Sequence, residues 1–172
     1  MSEVVDTPAV IWRFHTSETI RQSIDLQNFE PIALSHLKAA RTAAEKAYAP
    51  YSNFRVGSSV LVAGKDPREF TGCNIENASY GATMCAERVA INTAVAAGFH
   101  EFTLLALSTL DSASEEDLSN RSPCGLCRQV MSEFFSPETL ILIDGGTSEA
   151  GQERIDVTTI DAVLPWRFEL AK

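Results

Sequence analysis

Two short stretches of the chain, "MCAERVAI" at 84–91 and "SPCGLCRQ" at 122–129, concentrate residue types that do chemistry. The first holds Cys85, Glu87 and Arg88, and the second holds Cys124 and Cys127. A structural zinc site wants four protein ligands, whereas a catalytic one keeps three and leaves a place for water. Three cysteines with a carboxylate close by match the second description. Three thiolates leave a net negative centre, which disfavours ionising a bound water, so charge must be withdrawn. Arg88 and the positive ends of helices are the available means. Glu87 is then left to move protons between water and a leaving group. Free cysteines are often plain buried residues, but the spacing and Glu87 favour the metal reading.

The elements that would carry these residues can be read from pattern. "CAERVAINTAVAAG" reads as an Ala-rich helix stopped by Gly98, and "PCGLCRQVMSEFF" as a second helix. Both cysteine segments therefore sit at helix N-termini, where unpaired N–H groups favour thiolate. Cys124 and Cys127, at i and i+3, face one side of their helix start. "FTLLALSTL" and "ETLILID" are continuous apolar runs, hence buried strands. "RVGSSVLVA" and "EFTGCNIE" read as a pair of strands around the turn "GKDPRE". A helix is expected from Ile32 to Tyr48, ended by "YAPYSNF". "IDVTTIDAVLPWRFEL" holds a short strand and a short terminal helix. The order α-β-β-α-β-α-β fits one sheet covered by helices, a three-layer α/β domain over residues 31–172. Residues 1–30 show no sustained period and read as an N-terminal extension, partly helical, with no assigned role. "DSASEEDLSNRS" is an acidic loop. Trp12 and Trp166 are expected at the surface or an interface, and Cys73 in simple core packing. His15, His36 and His100 lie outside every motif.

Composition narrows the partners. The 172 residues are 45% hydrophobic and 22% charged, with 14 basic against 23 acidic side chains and a net charge of −9. That is the profile of a soluble globular domain, and it lacks the basic face that a phosphate backbone requires. Small uncharged substrates are favoured over nucleic acid. No apolar run approaches the ~20 residues of a membrane span, and "MSEVVDTPAV" lacks the pattern of a secretory signal. The expected compartment is cytoplasmic, where four cysteines argue for metal or catalysis over disulfides.

"CAE…PCGLC" is similar to the active-site signature of the cytidine deaminases, the small homotetrameric class with three cysteines on zinc. "YAPYSNFRVG", "GCNIENASY", "CAER", "SPCGLCRQ" and "LPWRF" follow the family's order over roughly residues 34–170. The resemblance implies a three-layer α/β/α fold on one mixed five-stranded sheet. It also implies hydrolysis of cytidine and 2′-deoxycytidine to uridine and 2′-deoxyuridine plus ammonia, a step of pyrimidine salvage. Carried over by position, Cys85, Cys124 and Cys127 would hold one Zn²⁺ per subunit, with water as fourth ligand. Glu87 would shuttle protons to N3 and to the departing amino group, with Arg88 compensating charge. Asn74 and Glu76 would bond the ribose 3′-hydroxyl, Phe54 would pack on the pyrimidine, and Ala86 N–H and the Ser122 carbonyl would orient the base. Tyr80 and Phe168 would reach the site of a neighbouring subunit. The related alternatives are a blasticidin-type or polynucleotide deaminase, and a catalytically inert zinc-stabilised module.

Overall fold

The computed structural model describes residues 3–112 and 117–170; four residues of the acidic loop, 113–116, therefore lie outside the described residues. Its elements in chain order are β1 (Glu3–Asp6), β2 (Val10–Phe14), α1 (Glu18–Ser23), α2 (Leu26–Ala44), β3 (Val56–Val62) and β4 (Glu69–Cys73). There follow α3 (Ala86–Ala96), β5 (Phe102–Thr109), α4 (Gly125–Phe134), β6 (Phe135–Thr147), β7 (Glu153–Thr159) and α5 (Ile160–Val163). The strands form one mixed sheet ordered β1-β2-β7-β6-β5-β3-β4, with β5·β6 and β2·β7 parallel and the other pairs antiparallel.

Both faces of the sheet are covered, and this explains the unbroken apolar runs. On β5 and β6, Leu104, Ala106, Leu140 and Leu142 turn to one face, where they pack with Ala33, Leu37 and Ala40 of α2. Leu105, Leu107, Ile141 and Ile143 turn to the other, against Ala90, Ile91 and Ala94 of α3 and Cys127 and Met131 of α4. Alternation along each strand thus feeds two cores.

The three-layer architecture is as expected, but the sheet has seven strands among the described residues, not five. The additional pair is β1 and β2, from the extension. Val10, Trp12 and Phe14 alternate inward on β2, and β2 pairs in parallel with β7. Trp12, expected at the surface or an interface, is fully buried between Phe14 and Phe29, because it faces the α2 side of the sheet. Trp166 is 95% exposed. The helix expected from Ile32 begins at Leu26, capped by the Asp25 side chain on Gln27 N–H, and passes through Pro31. Gly98 stops α3 with φ of 94°.

Two glycines set how closely helices approach. A Cβ on Gly57 would lie 2.0 Å from the Ala40 carbonyl oxygen, and one on Gly72 would lie 2.5 Å from Ala90 N and 2.6 Å from the Ala86 oxygen. α2 therefore seats on β3, and α3 on β4, at contact distance. The register puts Cys73 and Ser108 on either side of Gly57, so β4 and β5 end together at one edge of the sheet. α3 and α4 both begin beyond that edge, so their N-termini converge there. Crevices outside the carboxyl ends of strands are where α/β sheets commonly bind ligands.

Candidate active site

The loop after β4 is closed on itself before α3 begins. Ile75 and Met84 exchange both backbone hydrogen bonds at 2.9 Å, which fixes Cys85 as the N-cap residue of α3. Cys124 occupies the same position on α4, and Cys127 is buried one turn later. The sulfurs of Cys85, Cys124 and Cys127 lie within 4.8 Å of one another, with Cys85–Cys124 at 3.8 Å and Cys124–Cys127 at 3.5 Å. Sulfurs bonded at about 2.3 Å to one tetrahedral zinc are about 3.8 Å apart. The donor set and its spacing fit that ion. Among the described residues this is the sole such cluster.

Arg88 lies beside the thiols: its Nη2 donates to the Thr83 carbonyl at 2.9 Å and stands 3.7 Å from Cys85 Sγ. The Cys85 thiol is pushed down to about 5, first by the hydrogen bond from Cys127 and then by Arg88. The same contact with Cys85, together with burial, pushes Cys127 up. Glu87, on the first turn of α3, is buried, and burial pushes its carboxyl up to about 7.

Cys85, Glu87 and Cys124 lie on the wall of a cavity of about 340 Å³, which Phe54, Asn74, Glu76 and Ser122 also line. Asn74 joins this wall to β3, its Nδ2 donating to the Phe54 carbonyl and its Oδ1 accepting from Val56 N–H, each at 2.8 Å. Glu76 accepts from Tyr51 N–H at 2.9 Å, Ser52 N–H at 3.3 Å and the Ser52 hydroxyl. These bonds, the Ser52 hydroxyl foremost, hold its carboxyl below the usual range.

Comparison with known proteins matches residues 32–143 to the family described as the cytidine and deoxycytidylate deaminase zinc-binding region. The chain belongs to this family. A cytidine deaminase of Sporosarcina psychrophila is 39% identical over 129 residues, covering 75% of this chain and 85% of the relative. A crystal structure of the Burkholderia pseudomallei cytidine deaminase superposes with a TM-score of 0.64 at 39% identity, covering 78% of this chain and 98% of that one. A blasticidin-S deaminase of Bacillus cereus is 27% identical over 139 residues, 80% of this chain and 94% of the relative.

Within this deaminase fold, not every expected residue meets at the cavity of its own chain. Ala86 is fully buried behind the wall; as the first residue of α3 its N–H has no acceptor within the helix. Tyr80 is 80% exposed and lines a neighbouring hollow with Tyr51, Asn77 and Thr83. Phe168 is 70% exposed, anchored through its carbonyl to Gln129 Nε2 at 2.9 Å and away from the cavity. Sequence reasoning missed Arg121, which lines the cavity yet is 0% exposed, paired with Asp156 and donating to the Asp144 carbonyl at 2.8 Å. Leu107 and Thr109 at the end of β5 also line the cavity; only their place on a strand heading to the site could have signalled it.

Proposed function

We propose that this protein is a zinc-dependent cytidine deaminase, converting cytidine and 2′-deoxycytidine to uridine and 2′-deoxyuridine with release of ammonia. The observation that carries this reading is three converging thiols beside a buried carboxyl on one cavity wall. Membership of the deaminase family supports it. Cys85, Cys124 and Cys127 would hold the zinc. When bound, that ion supplies the Lewis acidity that lets water ionise near neutral pH.

Glu87 does the proton work. It accepts one proton from the attacking water and delivers it to N3 of the pyrimidine, which makes C4 electrophilic. It then carries the second water proton to the exocyclic amino group. The C4–N bond breaks and ammonia leaves, while the water oxygen stays as the uracil carbonyl. A carboxyl poised near 7 is suited to both directions of transfer. Arg88 offsets the thiolate charge.

The other walls place the substrate. Phe54 packs on the ring, and the Ser122 carbonyl orients the base. Asn74 retains one N–H and one lone pair beyond its bonds to β3, and Glu76, held ionised, accepts; together they take the ribose 3′-hydroxyl. Neutral hydroxyls read this way suit a free nucleoside, and the net charge of −9 opposes a polyanion. Tyr80 and Phe168 point outward and would complete the site of a neighbouring copy in a homotetramer. The four free cysteines suit a reducing compartment such as the cytoplasm.

Ammonia release tests the reading, with cytidine, deoxycytidine, a cytosine oligonucleotide and blasticidin S offered separately. Turnover of the two nucleosides and none of the oligonucleotide is expected. Turnover of blasticidin S alone would move the protein to the substrate of its Bacillus cereus relative.

A further inference from the structure

The N-terminal extension is joined to the cavity wall through one buried carboxylate. Asp156 on β7 is 1% exposed. Arg13 Nη2 donates to its Oδ2 at 2.7 Å, and His15 Nε2 lies 2.8 Å from its Oδ1. Arg13 is on β2, directly opposite Asp156 in the β2·β7 register, and His15 follows two residues on. Arg121 donates to the same Oδ2 from Nη1 and Nη2 at 3.3 and 3.2 Å. Arg121 also binds the Asp144 carbonyl, and Asp144 is itself held by Arg41 and by Ser108 at 2.7 Å.

A guanidinium withdrawn from water stays where its counter-charge is. Arg121 is therefore placed by Asp156, and Asp156 is oriented by partners on both of its oxygens. What Arg121 in turn places is a segment with little regular structure of its own. Between β5 and α4, the described residues hold a single 3₁₀ turn, Leu118–Asn120, from which Arg121 N–H and Ser122 N–H bond back to the Leu118 carbonyl. That segment contributes Asn120, Arg121, Ser122 and Cys124 to the cavity. Side-chain anchors must supply the precision that the backbone lacks.

We propose that the extension is a positioning element of the active site: Arg13 and His15 orient Asp156, which fixes Arg121 and with it the near end of the cavity wall, residues 120–122, while Arg128 of α4 holds Pro123 and the Ser122 hydroxyl at the far end. The consequence for substrate rests on the deaminase reading above; the consequence for the wall does not.

The test uses the full-length zinc-loaded protein carrying Arg13→Met with His15→Phe, beside wild type and the conservative Arg13→Lys. Amide hydrogen exchange is followed in peptides covering 118–124 and, as reference, 86–96. Faster exchange confined to 118–124 is expected, with zinc content unchanged. kcat/KM for cytidine should fall roughly tenfold or more, since misplacement of about 1 Å at a site can cost about a hundredfold in rate, and Arg13→Lys should retain most of it. Unchanged exchange in 118–124, or a rise equal in both peptides, overturns the proposal. Should the double variant fail to fold, His15→Asn alone gives the same comparison, judged by the same two outcomes. A wild-type protein that releases no ammonia from cytidine would sink the deaminase reading and leave the exchange result to decide this one.

Discussion

Cys85 and Glu87 sit two residues apart at the head of α3, and their protons answer to opposite forces. Neighbouring hydrogen bonds and Arg88 draw Cys85 toward thiolate, while burial keeps Glu87 protonated up to about 7. This suits one side chain to bind a cation and the other to the proton transfers proposed for it. Glu87→Gln should keep the zinc, since the three thiols are untouched, and lower kcat by roughly 10²–10⁴; steady-state rates with metal analysis check this. Cys124→Ala should lose metal and stability together, because metal binding to such a site is coupled to folding. Emission spectrometry and a melting curve read both, and a variant still holding one zinc per chain would remove Cys124 from the ligand set. These residues were legible in the sequence because few side chains can ligate zinc or shuttle a proton, so types and spacing say much. Arg121 was not, because a buried arginine spells the same as an exposed one. Its counter-charge, Asp156, is named only by the fold.

The helices that carry the ligands depend on how closely they lie on the sheet. Gly72 lets the first turn of α3 touch β4. Gly72→Val forces a branched side chain against the Ala86 and Ala90 backbone, at a cost of about 1–3 kcal/mol. Because Cys85 and Glu87 ride on that turn, zinc affinity should fall with stability, measurable by competition with a chelator. On the opposite face, His36 of α2 is buried over Ser59 of β3, with Nδ1 2.7 Å from the Ser59 hydroxyl and 3.2 Å from Glu69 Oε2. Glu69 favours the charged ring, but burial is the larger force and holds His36 below its ordinary value. Below about 6.5 the unfolded chain binds a proton that the folded one still refuses. The stability contributed by His36 is thus full above that pH and is lost as pH falls through the folded value. His36→Gln should flatten the acid side of the urea-midpoint profile relative to wild type; parallel profiles would contradict this. Helix and strand periods made α3, α4, β5 and β6 readable. β2 was hidden because Arg13 breaks its apolar run, and the charge is tolerable only against Asp156. α2 was placed late because its apolar period was read only from Ile32, whereas the Asp25 side chain caps the helix at Leu26.

Across the whole molecule, the core ends before the C-terminal tail does. Ile160 is buried, whereas Trp166, Phe168 and Leu170 stand exposed. Exposed side chains add nothing to the core, so removing them tests the proposed contact of Phe168 with a neighbouring copy. Truncation after Leu164 should therefore leave the far-ultraviolet circular dichroism nearly unchanged while abolishing turnover and shifting sedimentation to smaller species. A truncated form with full activity would show that Phe168 completes no neighbour's site. The central claim is that activity resides in one ion held by Cys85, Cys124 and Cys127. Its most direct test strips the metal with a chelator, then adds zinc back while ammonia release from cytidine is recorded. The rate should start near zero, climb in proportion to zinc bound and stop at about one equivalent per chain, the occupancy of a three-ligand catalytic site. Full turnover by stripped protein, or zinc restored without turnover, would contradict it.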